Sequence, residues 1–157
     1  MKKVFYFASS LAISALLLIN SSCRREGQTT TAVSINNGSA SHNNGQNCMT
    51  CHRSGGQASG DGWFVVGGSV FMPDKISYNP NGKILLYPGP NGTGNVVATI
   101  EVDGKGNFYT TDAIDFGNGL YPAVIGSNGT IQYMGQVTRT GACNGCHGVS
   151  TDKLWAN

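Results

Sequence analysis

The sequence predicts a mainly β protein: a small β-sandwich over residues 62–138 with an irregular segment at each end. Three observations carry this expectation. Asn-Gly recurs at Asn81-Gly82, Asn91-Gly92, Asn118-Gly119 and Asn128-Gly129, with Asp103-Gly104 among them. Both residues of such a pair tolerate positive φ, which tight hairpins require. Val96, Ala98, Ile100 and Val102 alternate with Val97, Thr99, Glu101 and Asp103, a period of two with one face expected buried and the other wetter. No window of comparable length carries a helical period, and short strands at regular spacing favour a sandwich.

The strand-like runs between these turns follow in order: residues 63–71, 83–87, 95–102, 107–111, 120–125 and 130–138. Composition agrees with a compact domain of modest core. The chain has 157 residues, 39% of them hydrophobic and 11% charged, with 23 glycines. That is unlike a charge-rich disordered chain or a coiled coil. The formal charge of +2 comes from Lys2 and Lys3; without them, eight basic groups face eight acidic ones. No basic field is present to hold a nucleic acid.

Lys2 and Lys3 precede the apolar run 4–19, the layout of an export signal and too short for a membrane span. Ser21 and Ser22 lead into Cys23. This stretch resembles a bacterial lipobox, which implies a signal peptide over 1–22 and lipidation of Cys23. The departure from the pattern is Asn20, where leucine is usual. Ordinary cleavage leaving a free Cys23 thiol is the alternative. Residues 23–41 then read as a flexible tether rich in Ser, Thr, Asn and Gly.

Four further cysteines form two pairs, Cys48 and Cys51, Cys143 and Cys146, and each pair is followed directly by a histidine, His52 and His147. C-x-x-C-H is the signature of covalent c-type haem attachment. Each thiol adds across one vinyl group, the two intervening residues set both sulfurs along one porphyrin edge, and the adjacent histidine ligates iron. The expected cofactors are therefore two covalently attached haem c groups, in segments 42–61 and 139–157. A zinc ribbon of four thiolates, two local disulfides and a thioredoxin-like redox motif are the competing readings. None of them requires the histidine, yet two of the chain's three histidines occupy these slots.

With these motifs the chain resembles a c-type cytochrome, and more closely the multihaem type, whose haems sit in short loops and turns. The resemblance covers residues 48–52 and 143–147. Separately, residues 94–111 resemble the strand–turn–strand core of carboxypeptidase-regulatory-like domains, which implies a small Ig-like sandwich serving as a scaffold. The combined expectation is an Ig-like β-sandwich flanked by two irregular c-type haem-binding segments.

His52 and His147 are the expected proximal ligands. His42, six residues before Cys48, is the candidate distal ligand, a position from which such a histidine often serves the other haem of a pair; Met72 and Met134 are candidates for the remaining iron, against plain core packing for each. Trp63, Phe64 and Trp155 are candidates to shield haem edges. The function expected is electron relay without substrate chemistry, in an exported protein anchored by lipid in the periplasm or at the outer membrane. Its partners would be other redox proteins or multihaem cytochromes. The alternatives are a haem-linked assembly module, in which His42 ligates a neighbouring copy, and a peroxidase or ligand sensor with one open iron.

Overall fold

The computed structural model describes residues 30–157. The export signal and Cys23 lie outside the described residues. Among the described residues, seven strands form two sheets: β1 (Val66–Ser69), β2 (Lys83–Tyr87), β3 (Ala98–Glu101), β4 (Asn107–Thr110), β5 (Tyr121–Ile125), β6 (Ile131–Tyr133) and β7 (Gly141–Ala142). One sheet has the order β4-β1-β7, the other β3-β2-β5-β6. Every pairing is antiparallel except β1 with β7. No helix among these residues is long and apolar enough to cross a membrane.

The two sheets close over one apolar core. Val66 and Phe108 come from the first sheet; Ile84, Leu86, Ile100 and Val124 come from the second; Val65, Val70, Val102, Leu120 and Ala156 fill the rim. Period-two alternation accounts for this within β3 and its extension, where Ile100 and Val102 are buried between the more open Thr99 and Glu101. It fails at both ends. Val96 is 43% exposed because β3 begins only at Ala98, and Asp103 is buried because it caps the next turn. Its Oδ1 accepts the N–H groups of Lys105 and Asn107.

The turns work differently from the expected two-residue hairpins. The Asp103 turn is a corner that takes the chain from one sheet to the other. It closes through Gly106 N–H to Asp103 O and Asp103 N–H to Asn107 O, with positive φ at Gly106 and not at Gly104. The β5–β6 hairpin likewise places its positive φ at Gly129. Asn91 and Gly92 are both left-handed and sit in the β2–β3 connection as expected.

Two stretches read as irregular are docked on the sandwich. From residue 30 the expected tether runs beside β4: Ser34 N–H donates to Tyr109 O, Thr111 N–H to Ala32 O, and Ser34 Oγ to Glu101 O. The polar composition that suggests a flexible linker here supplies hydrogen bonds to the β4 edge. At the other end, Phe71 N–H donates to Leu154 O and Ala156 N–H to Phe71 O. The buried Asn79 amide fixes this tail by donating to Ala156 O and accepting from Ser127 N–H.

β1 is Val-Gly-Gly-Ser, with Val66 and Gly68 facing the core and Gly67 and Ser69 facing outward. A Cβ at Gly68 would stand 2.6 Å from the Phe108 ring and 2.7 Å from Asn144 Oδ1. Gly68→Ala is therefore expected to destabilise the domain by about 1–3 kcal/mol through overpacking, read as a lower urea midpoint at unchanged m-value. An unchanged midpoint would show that the core has slack at this point.

Candidate functional site

The two C-x-x-C-H motifs fold into the same local structure. Cys48–Thr50 and Cys143–Gly145 are each one turn of 3-10 helix. In the first, the Cys51 and His52 N–H groups both donate to Cys48 O, at 3.2 and 3.0 Å; in the second, Cys146 and His147 do the same to Cys143 O at the same two distances. Each turn thus converges on the carbonyl of its first cysteine, so the spacing of two residues sets the local shape. Asn47 caps the first turn by accepting Met49 N–H.

β1 brings the two turns together. A Cβ on its outward-facing Gly67 would lie 3.1 Å from Cys48 Cβ and 3.5 Å from Cys48 Sγ, so the missing side chain is what seats the first motif on the strand. The second motif leaves directly from β7, whose Ala142 pairs with that same Gly67. Asn144, the first intervening residue of the second motif, is buried, and its Oδ1 accepts Ser69 N–H. A side-chain amide thereby continues the ladder where β7 ends. The turns also meet directly, a Cβ at Gly145 falling 3.4 Å from Asn47 Nδ2. The two C-x-x-C-H turns are neighbours on one strand.

His52 is only 6% exposed, and its Nδ1 is buried without a hydrogen-bond partner. Its ring stacks on Phe64 at 4.0 Å, and Phe64 stacks on Tyr109 at 4.8 Å. Of the aromatic residues expected near a haem, Phe64 is the one placed against a motif histidine. His42 faces His52 with 5.9 Å between ring centres. Imidazoles bound to opposite sides of one metal ion need a similar spacing of about 6 Å, given metal–nitrogen bonds of roughly 2 Å. His42, His52, Cys48, Cys51 and Tyr109 line one open cleft of about 350 Å³. Burial lowers the His52 pKa below the ordinary histidine value, against a hydrogen bond with the Gly62 backbone that raises it, and the neighbouring His42 adds to the lowering. The neutral ring keeps a lone pair for a metal.

His147 is oriented by a different device. Its Nδ1 lies 2.9 Å from Asp152 O. A carbonyl only accepts, so Nδ1 carries the proton and Nε2 keeps its lone pair, the tautomer a ligating histidine needs. Lys75 Nζ pairs with Asp152 at 2.7 Å, and Lys153 Nζ donates to Lys75 O. Because Lys75 N–H also bonds Met72 O, the turn bearing Met72 is tied to the His147 loop. Met134 lies just past β6 on the other sheet, its N–H bonded to Pro122 O.

Two of the four motif thiols are shifted by burial: burial raises the Cys48 pKa, and burial pushes Cys143 up to about 12, with the nearby Cys48 adding to it. All four cysteines are free, and among the described residues no three His, Cys, Asp or Glu side chains cluster to hold a metal ion. The cleft at the first motif brings together a buried histidine nitrogen without a hydrogen-bond partner, a second histidine ring 5.9 Å away and a pair of thiols.

Sequence reasoning missed Ser69, Asn107, Tyr109, Asn144 and Ser41. Asn144 stands inside a motif whose intervening positions are chemically neutral, and the others are ordinary strand and loop residues until the fold buries them. No family model, curated protein or solved structure matches the chain.

Phe64 stacks directly on His52. Phe64→Ala is expected to lower stability by about 3–5 kcal/mol, measured by thermal or urea unfolding, and Phe64→Leu by distinctly less. Equal losses from both variants would overturn this, showing that the stacked ring itself, and not the volume it fills, stabilises the site.

Proposed function

We propose that the protein is an exported dihaem c-type cytochrome that relays electrons, with one haem c on Cys48 and Cys51 and the other on Cys143 and Cys146. The observation that carries this reading is the pairing of two identically folded C-x-x-C-H turns on one strand. Local disulfides or isolated redox pairs would not need such a juxtaposition, whereas a relay does. When bound, haem supplies one-electron chemistry at iron; the chain supplies attachment, ligation and water exclusion. Each thiol S–H adds across a vinyl C=C, forming one C–S bond and passing its hydrogen to the neighbouring carbon, so no oxidant is consumed.

His52 and His147 are the proximal ligands in this reading. His42 is the sixth ligand of the first haem, because it faces His52 of its own chain. That same contact weighs against the assembly reading, in which His42 would serve a neighbouring copy. Met72 is the candidate for the second iron, since its turn is tied to the His147 loop; Met134 is the weaker candidate. If neither methionine ligates, the second iron is open, which is the form a ligand sensor or peroxidase would take.

Export, required because c-type haem is attached outside the cytoplasm, fits the leader read at residues 1–22. Lipidation at Cys23 would hold the domain at a membrane surface among other redox proteins or multihaem cytochromes.

Expression in a host that matures c-type cytochromes tests the reading. The expected product is a protein with a Soret band and the mass of two attached haems. Cys51→Ala and Cys146→Ala should each destabilise attachment at one site, lowering the haem-to-protein ratio from about two towards one. A product without a Soret band, despite competent maturation, would overturn the cytochrome assignment. His42→Ala should convert about half of a low-spin ferric spectrum to high-spin; a methionine-to-iron band in the near infrared, lost in Met72→Ala, would identify the second sixth ligand.

A further inference from the structure

Ser41, Ser69, Asn107 and Asn144 are all buried polar residues on or beside the outward face of β1 and β4. They form one continuous hydrogen-bonded chain. Gly45 N–H donates to Ser69 Oγ at 2.8 Å, and Ser69 Oγ–H donates to Asn107 Oδ1. Asn107 Nδ2 donates to Ser41 Oγ at 2.9 Å and, more weakly, to His42 O at 3.4 Å. Ser69 N–H donates to Asn144 Oδ1 at 3.0 Å. The loop carrying His42 is thus pinned on both sides, at Ser41 and Gly45, by two adjacent side chains. Asn43 and Gly45 take positive φ to make the loop tight enough, and Lys105 Nζ adds a bond to Ser41 O. His42 itself is exposed and makes no other ring contact than the one to His52 among those described.

A fully paired polar network inside a protein specifies one arrangement, because every alternative leaves a buried donor or acceptor unpaired. Here the arrangement specified is the placement of an exposed histidine opposite a buried one. We propose that Ser69 and Asn107 are positioning residues: a clamp that holds His42 in place as sixth ligand of the first haem and, through Asn144, ties that ligand loop to the second attachment turn. The inference rests on the dihaem reading. It adds that ligation at the first iron is set by residues that do not themselves ligate it, and that the two sites share one structural element.

Loss of the clamp frees His42 without removing it. In holoprotein carrying both haems, Ser69→Ala and Asn107→Ala are expected to raise the high-spin fraction at the first haem and to strengthen cyanide binding there by roughly tenfold, the scale of one lost buried hydrogen bond. Added imidazole should restore the low-spin spectrum. Asn107→Asp, which keeps the acceptor for Ser69 and loses the donor to Ser41, should fall between. In a His42→Ala background, Ser69→Ala should add nothing further to the spin state, because the clamp acts through His42. If Ser69→Ala fails to fold, Ser41→Ala at the outer end of the chain decides with the same readouts.

The outcomes separate. A wild-type protein lacking attached haem overturns the dihaem reading and the clamp with it. A low-spin dihaem wild type whose Ser69→Ala, Asn107→Ala and Ser41→Ala variants keep the same spectrum and cyanide affinity overturns the clamp alone. A spin change from Ser69→Ala that persists undiminished in the His42→Ala background also overturns it, since the effect would then bypass His42.

Discussion

Two adjacent glycines leave β1 bare on both faces, and the rest of the arrangement depends on that bareness. Gly68 admits the Phe108 ring into the core, so the first sheet can sit close against the second. Gly67 admits the Cys48 side chain onto the opposite face, so an attachment turn can lie directly on the strand. Glycine in a strand interior normally weakens it, through backbone entropy and lost packing. Here neighbouring groups occupy the vacated space, a ring on one side and a cysteine on the other. The strand becomes a thin partition between the apolar core and the first C-x-x-C-H turn.

Ser69 completes what the glycines permit. Its backbone N–H turns towards the second motif and its hydroxyl towards the histidine loop of the first. One residue therefore links the two ends of the chain, about a hundred positions apart in sequence. Such a buried polar junction adds little net stability compared with an apolar one of equal volume. Its value lies in specifying a single geometry. The relative placement of the two C-x-x-C-H turns is thereby fixed by the scaffold.

The segment at residues 30–45 illustrates a second constraint: it carries few apolar side chains, yet like the half-apolar residues 152–157 it is pinned to the sandwich. Their backbone N–H and C=O groups complete sheet edges at β4 and Phe71. A composition rich in Ser, Asn and Gly suits either a solvated linker or a strap of side-chain-to-backbone bonds. Which of the two occurs depends on whether an unpaired edge lies within reach.

The sequence alone determined the class of fold, since a two-residue period and Asn-Gly spacing are local properties that survive without tertiary context. It located β2 to the residue and marked Cys48, Cys51, His52, Cys143, Cys146 and His147 as chemically special, because a spacing of two residues between cysteines imposes its own turn. It did not reveal that the Asp103 turn is a corner between sheets, that Val96 is exposed, or that the tether is docked from residue 30, because each depends on what a distant segment places opposite. Nor could it choose between motifs set side by side and motifs at opposite ends. Only the tertiary structure decided that, by pairing Gly67 with Ala142 and burying Asn144 against Ser69, contacts between residues some 75 positions apart. Hydrogen bonds over such separations leave no periodic trace in the chain; they exist only once the sheets have formed.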